Sequence, residues 1–182
     1  MKILVSDPLA EEGLKILETV KEFEVDVNTG LKPEEFKKII KDYEALIVRS
    51  ATKVTSDIIS SAAKLKVIGR AGVGLDNVDL EAATQKGIIV MNTPGGNTIS
   101  TAEHTMSMIL ALSRNIPQAN NSTKQGQWQR SKFMGVELYN KTLGIVGLGR
   151  IGTEVAKRTL SFGMKVLAYD PFLSGEVAKT LG

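Results

Sequence analysis

A glycine-rich turn between a predicted strand and a predicted helix limits most strongly how this chain can fold. Residues 147–152 read Gly-Leu-Gly-Arg-Ile-Gly, which is the pattern G-x-G-x-x-G. A strand pattern at 142–147 precedes the turn, and a helical pattern at 150–162 follows it. A second strand pattern at 165–169 ends at Asp170, 18 residues after Gly152. Because a strand, a helix, a second strand and an acidic residue surround the motif, it predicts a dinucleotide site.

Each glycine of this motif has a separate task in such a site. Gly147 permits the tight turn, Gly149 lets a pyrophosphate approach the backbone, and Gly152 lets the helix pack closely on the strand. The free N–H groups at the helix start favour phosphate. Asp170 can accept hydrogen bonds from ribose hydroxyls and would repel a 2′-phosphate, which predicts NAD rather than NADP. The alternative is an ordinary glycine-rich turn with Asp170 capping the strand end.

The rest of the chain alternates between strand and helix patterns. Strands are predicted at 3–5, 23–27, 45–48, 66–69 and 88–90, with helices at 8–20, from Pro33, from Thr55 and at 78–86. This alternation predicts an α/β fold with a parallel sheet and helices on both faces.

A second unit is expected after a break in this alternation. The turn-rich segment 92–97 predicts a boundary between domains at 1–93 and 94–182. A helix at 100–114 is apolar almost all round, which predicts burial in a core or against a partner. The polar segment 118–133 carries no predicted element.

Two arginines follow neighbouring predicted strands. Arg49, with Ser50 beside it, follows the strand at 45–48, and Arg70 follows the strand at 66–69 and precedes the Gly72-Val73-Gly74 turn. Carboxyl ends of parallel strands share one edge, where ligands bind. Two guanidinium groups and an anion-binding turn suit a small substrate with several negative charges. Alternatively, both arginines pair with local carboxylates.

Composition excludes several classes of function. Lys and Arg number 23 and Asp and Glu 20, so the net charge of +3 is too small to indicate nucleic-acid binding. The absence of cysteine excludes disulfides, thiolate metal sites and cysteine nucleophiles. The single histidine, His104, lies mid-helix and is interpreted as a helix or interface residue, so no metal site is predicted. The longest apolar run, 106–112, is too short to span a bilayer, which favours a cytoplasmic protein without a membrane partner.

Four segments together resemble a known family. Residues 46–55, 67–79, 90–97 and 143–152 are similar to the D-isomer-specific 2-hydroxyacid dehydrogenases, and the segments around Arg49 and Arg70 resemble the branch that acts on 3-phosphoglycerate. The resemblance implies that 1–93 is the first part of a flavodoxin-like substrate-binding domain. It also implies that 94–182 is an incomplete Rossmann nucleotide-binding domain.

The resemblance also implies roles for individual residues. Those expected to bind substrate are Arg49, Ser50, Arg70, Gly72, Val73, Gly74 and Asn97. Those expected to bind NAD are Val73, Gly147, Gly149, Arg150, Ile151, Gly152 and Asp170. The implied reaction is NAD-dependent oxidation of 3-phosphoglycerate to 3-phosphohydroxypyruvate, the first step of serine biosynthesis, in a homodimer or homotetramer with the helix around His104 at its interface.

One departure from the family pattern concerns catalysis. The family's catalytic arginine, glutamate and histidine are expected downstream of Gly182, so no catalytic residue is assigned here. We therefore expect an N-terminal fragment that is inactive by itself. Two alternatives remain, namely another D-2-hydroxyacid dehydrogenase, acting for example on glyoxylate or lactate, and a non-catalytic NAD-binding or regulatory module.

Overall fold

The computed structural model describes residues 1–173. The chain divides into two compact units, Met1–Gly96 and Asn97–Gly182. The assignment of residues 1–93 to substrate binding and of residues 94–182 to nucleotide binding stays a prediction.

The first unit is a five-stranded sheet with four helices. Its elements are β1 (Lys2–Val5), α1 (Glu11–Glu18), β2 (Glu24–Val27), α2 (Pro33–Ile40), β3 (Ala45–Val48), α3 (Ser56–Ser61), β4 (Val67–Arg70), α4 (Leu80–Gln85) and β5 (Ile89–Asn92). The strand order is β2-β1-β3-β4-β5, and every pair is parallel. This confirms the predicted parallel sheet. The order reverses between β1 and β3, the position at which open α/β sheets usually bind ligands.

The core of the first unit lies between one sheet face and a layer of helices. Leu4, Leu46 and Ile68 occupy one row across the sheet and are fully buried. Helices α2, α3 and α4 cover this row with Phe36, Ile40, Ile58, Ile59 and Ala83. Because α2 begins at Pro33, where the missing N–H costs nothing, its start was predictable.

The second unit is built around the glycine-rich turn. Its elements are α5 (Thr98–Ser113), α6 (Ile116–Lys124), a short 3₁₀ helix (Arg130–Phe133), β6 (Thr142–Val146), α7 (Arg150–Ser161) and β7 (Lys165–Tyr169). Strands β6 and β7 are parallel. The polar segment 118–133, to which the sequence analysis assigned no element, contains most of α6 and the whole 3₁₀ helix. Helix α6 is polar and mostly exposed, so it leaves no apolar periodicity in the sequence.

In the part of the chain that the structure describes, the buried residues of α5 lie along one stripe. Ala102 and Met106 pack against Val155 of α7. On the other side, Met108 is 59% exposed and Leu112 is 80% exposed. The sequence predicted burial of the helix in a core or against a partner. Among the described residues, this burial is found on one side of α5. Along residues 1–173, no helix is both long and apolar enough to cross a membrane.

Candidate functional site

The turn between β6 and α7 has the geometry that its glycines predict. Gly147 adopts φ +95°, a left-handed conformation, and its N–H donates to Tyr169 O at 2.7 Å. A Cβ at Gly152 would overlap the Gly147 carbonyl oxygen and lie 3.4 Å from Ile145 Cγ2. Gly152 thus permits the close contact between helix and strand.

The start of α7 lies beside open space. A Cβ at Gly149 would meet nothing within 4 Å. Backbone N–H groups in the first turn of an α-helix have no intrahelical partner, and the helix dipole adds positive charge there. Beside this turn lies an open groove of about 690 Å³, lined by Thr98, Ile99, Leu148, Gly149, Arg150, Thr153, Glu154, Asp170, Phe172 and Leu173. The groove can hold an anionic group against the backbone.

Asp170 ties the end of β7 to the glycine-rich turn. Its Oδ2 accepts from Leu148 N at 2.8 Å, and its Oδ1 accepts from Phe172 N at 2.8 Å. The carboxylate therefore caps the strand end, as the alternative interpretation expects. Because an ionised carboxylate has about four acceptor positions, it can still accept hydroxyl hydrogen bonds. The NAD-binding role assigned to Asp170 stays a prediction.

Two other residues assigned to the cofactor differ in their surroundings. The side chain of Arg150 is exposed and lines the groove. Ile151 packs its side chain on the Ala102, Met106 and Val155 cluster instead. What Ile151 can offer an anion is its backbone N–H at the helix start.

In the first unit, the two predicted arginines stand at the ends of paired strands. Arg70 is the last residue of β4 and lies opposite Val48, the residue before Arg49. Arg49 Nη1 donates to Pro8 O at 3.3 Å, and Arg70 Nε is buried without a hydrogen-bond partner. Within residues 1–173 neither guanidinium forms an ion pair, so the pairing with local carboxylates is not found there.

The Gly72-Val73-Gly74 turn lies directly beside Arg70. A Cβ at Gly72 would overlap the Arg70 guanidinium, so glycine is required for that side-chain position. Asn92 Nδ2 donates to Val73 O at 2.7 Å, and Thr93 N donates to Gly72 O at 2.9 Å. The end of β5 thus fixes the turn next to a buried, unpartnered guanidinium nitrogen.

Two further residues of this edge escaped sequence analysis. Asp7, which follows β1, is only 3% exposed, and its Oδ2 accepts from Arg49 N at 2.6 Å. Asn77 Nδ2 donates to Arg49 O and to Thr52 O, both at 2.7 Å. The available signal was position, since Asp7 follows a strand of the same parallel sheet as Arg49.

The pKa of Asp7 reflects this environment. Burial raises it, but hydrogen bonds from the Thr52 hydroxyl and from the N–H groups of Arg49, Thr52 and Ala51 outweigh burial. The pKa of Asp7 is therefore lowered, and the carboxylate is ionised at neutral pH.

The remaining sequence-predicted residues are exposed. Ser50 lies in the loop after β3, and Asn97 is the residue before α5 in the second unit. His104 is exposed on α5. Among residues 1–173, no three His, Cys, Asp or Glu side chains are grouped to hold a metal ion.

Known proteins resemble the chain along its whole length. The profile of the family described as "D-isomer specific 2-hydroxyacid dehydrogenase, catalytic domain" matches residues 3–177. The D-3-phosphoglycerate dehydrogenase of Methanocaldococcus jannaschii is 59% identical over 182 residues, which are 100% of this chain and 34% of that protein. The chain therefore spans about a third of the length of the curated relatives it matches.

Solved structures show the same architecture. The NAD+-bound 3-phosphoglycerate dehydrogenase of Entamoeba histolytica has a TM-score of 0.79 and 38% identity, covering 97% of this chain and 56% of that one. A D-lactate dehydrogenase of Aquifex aeolicus, complexed with NAD and lactic acid, has a TM-score of 0.86 and 32% identity, covering 100% of this chain and 54% of that one. These neighbours confirm the flavodoxin-like and Rossmann-type fold class.

Proposed function

Because the chain belongs to the D-isomer specific 2-hydroxyacid dehydrogenase family, we propose that the protein containing it oxidises 3-phosphoglycerate with NAD. The observation that carries the substrate assignment is the pair of arginines at the ends of β3 and β4. Neither guanidinium has a carboxylate partner within residues 1–173. Two unpaired guanidinium groups suit a ligand that carries both a phosphate and a carboxylate.

The second support for this substrate is sequence identity. Relatives named D-3-phosphoglycerate dehydrogenase from archaea, a cyanobacterium and mammals are 53–59% identical to the chain. Among the solved structures, the 3-phosphoglycerate dehydrogenase is 38% identical to the chain, and the two D-lactate dehydrogenases are 29% and 32% identical. We assign substrate binding to Arg49, Ser50, Arg70, the Gly72-Val73-Gly74 turn and Asn97.

We assign NAD to the groove beside the glycine-rich turn. Gly149 leaves space for a pyrophosphate, and the free N–H groups at the start of α7 would bind its oxygens. Arg150 adds positive charge at the rim, and Asp170 faces the same groove for the ribose hydroxyls. When bound, NAD+ supplies the nicotinamide that accepts a hydride. We also assign Val73 to NAD binding, as the family resemblance implies.

Removal of the hydroxyl proton needs a base within hydrogen-bond reach. The single histidine, His104, is exposed on α5 and is not among the residues that line the groove. We therefore assign no catalytic base to this chain.

We further propose a homo-oligomer that uses the exposed side of α5, where Leu112 is 80% exposed. The reaction would begin serine biosynthesis in the cytoplasm.

The test is a substrate panel with the full-length protein that contains this chain. NADH formation is followed with 3-phosphoglycerate, D-lactate and the glyoxylate/glycolate pair. We expect the highest kcat/KM for 3-phosphoglycerate. Preference for an unphosphorylated acid would favour another D-2-hydroxyacid dehydrogenase, and NAD binding without any turnover would favour a non-catalytic module.

A matched pair of variants tests the arginine assignment. Losing one charge-assisted contact to an anion costs about 1.5–3 kcal/mol, so Arg49→Ala should raise the KM for 3-phosphoglycerate by about one to two decades. The Kd for NADH should stay unchanged. Lys64→Ala removes an exposed charge from the same unit and is the control. An unchanged KM in Arg49→Ala would refute the assignment.

A further inference from the structure

The loop that follows β3 is held on both sides by residues from two other strands. The loop is defined here as residues 49–52, and it begins with Arg49. Asp7 approaches it from the end of β1, and Asn77 approaches it from the segment between β4 and α4. Neither residue is assigned a role in the proposed reaction.

Asp7 accepts hydrogen bonds from the donor groups of the loop. Its carboxylate accepts from Arg49 N at 2.6 Å, from Thr52 N at 3.1 and 3.2 Å, and from the Thr52 hydroxyl at 2.7 Å. The Ser6 hydroxyl, itself buried, donates to Thr52 Oγ1 at 3.1 Å. The first and last N–H groups of the loop therefore share one buried anion.

Asn77 binds the acceptors of the same two residues. Its Nδ2 donates to Arg49 O and to Thr52 O at 2.7 Å each. Arg49 and Thr52 are thus each held through the backbone N–H by Asp7 and through the backbone C=O by Asn77. An amide with two donor hydrogens is suited to this task, whereas a carboxylate has none to give.

We propose that Asp7 and Asn77 are positioning residues that pre-form the loop 49–52 and thereby aim Arg49 at an anionic substrate. The inference rests on the proposed function for its substrate, and on the hydrogen bonds alone for the loop. A preformed arginine loses less conformational freedom when the substrate binds. If the loop becomes mobile, the affinity for the substrate falls in proportion to the fraction of time that the loop keeps its binding conformation. The two residues act through Arg49 and touch no substrate themselves.

The first experiment measures the loop without any substrate. Amide hydrogen exchange is followed for residues 46–55 in the 182-residue chain and in the variants Asp7→Asn and Asn77→Asp. Asn77→Asp keeps the side-chain volume and removes both donors. We expect exchange at Arg49 and Thr52 to accelerate by about tenfold or more. Asp42→Asn and Asn28→Ala change exposed residues of the same unit and should leave this exchange unchanged.

The second experiment measures the action on Arg49. In the full-length protein, Asn77→Leu removes both donors without adding a negative charge beside the proposed anion site, and it should raise the KM for 3-phosphoglycerate by about tenfold, equal to about 1.4 kcal/mol. The kcat should change less than the KM, and the Kd for NADH should stay the same. In an Arg49→Ala background the same change should add little, because a residue that acts through Arg49 has nothing left to position.

The outcomes separate the two proposals. Faster exchange together with a non-additive KM effect supports the inference. Wild-type exchange rates in both variants would overturn it, and so would a KM effect of equal size with and without Arg49. If Asp7→Asn does not fold, Asn77→Asp decides the exchange measurement and Asn77→Leu decides the KM measurement. If the wild-type protein does not oxidise 3-phosphoglycerate, the proposed function fails, and the exchange rates still decide whether Asp7 and Asn77 hold the loop.

Discussion

Replacing either of two glycines in the same turn by alanine should affect a different property. We expect Gly152→Ala to lower the stability and Gly149→Ala to weaken cofactor binding. A Cβ at Gly152 would overlap the Gly147 carbonyl oxygen, lie 3.2 Å from the Gly147 carbonyl carbon and lie 3.4 Å from Ile145 Cγ2. Backbone atoms cannot rotate away, so Gly152→Ala must shift α7 from β6. A Cβ at Gly149 would meet nothing within 4 Å in the protein, but it would project where a pyrophosphate is proposed to bind.

The expected sizes follow from these contacts. Overpacking costs about 1–3 kcal/mol, and this exceeds the smaller gain of less than about 1 kcal/mol from replacing glycine in the unfolded chain. For a chain of this size, each kcal/mol moves the Tm by about 2–4 °C, so Gly152→Ala should lower the Tm by several degrees. Gly149→Ala should keep the wild-type Tm and weaken NADH binding by about tenfold or more.

Thermal unfolding followed by circular dichroism gives the Tm of the 182-residue chain and its variants. Titration of NADH fluorescence in the full-length protein gives the Kd. Gly144→Ala, in β6, is the control for strand glycines, because a Cβ there also meets nothing within 4 Å. Equal Tm values for Gly152→Ala and wild type would refute the packing argument. An unchanged Kd for Gly149→Ala would refute the placement of the pyrophosphate.

Three further predictions concern Asp170, Asp7 and the activity of the chain alone. Asp170→Asn keeps an acceptor for Leu148 N, gives up the one for Phe172 N and removes the negative charge, so it should narrow the preference for NADH over NADPH by about tenfold; an unchanged ratio of the two Kd values would contradict the ribose assignment. Asp7 has a lowered pKa in the fold, so its stabilisation is present above the usual carboxyl pKa and is lost as pH falls through the lowered value. The difference in free energy of unfolding between wild type and Asp7→Asn should therefore shrink as the pH falls below the usual carboxyl pKa, as urea titrations at each pH will show. The 182-residue chain alone should form no NADH from NAD+ and 3-phosphoglycerate, since its single histidine, His104, is exposed on α5; turnover at the rate of the full-length protein would contradict this.

The parts of the fold that sequence could predict are those with a local apolar period. Strands β3 (Ala45–Val48) and β7 (Lys165–Tyr169) have the predicted bounds, because short β-branched runs end at polar or turn residues. Helix α6 was missed because it is polar and exposed, so no stripe marks it. Within residues 1–173, Ala102 and Met106 of α5 pack against Val155 of α7, while Met108 and Leu112 are exposed.

The glycine-rich turn was predictable for the same local reason. Its steric requirements lie within a few residues of each other, from Gly147 to Gly152. The pattern therefore contains its own geometry, including the left-handed φ of Gly147. Side-chain surroundings were less predictable, since the pattern does not show that Ile151 packs into the core.

The site in the first unit is formed by residues that are distant in sequence, and this explains what sequence analysis missed. Arg49 and Arg70 were found because guanidinium groups at strand ends indicate anion chemistry by residue type alone. Asp7 and Asn77 bond to the loop across 42 to 45 and 25 to 28 positions of sequence, respectively. Parallel strands bring such distant segments to one edge, but the alternation of strand and helix patterns does not specify which polar side chains will meet there. An arginine at a strand end thus marks the site, while the residues that hold its backbone emerge only from the sheet order.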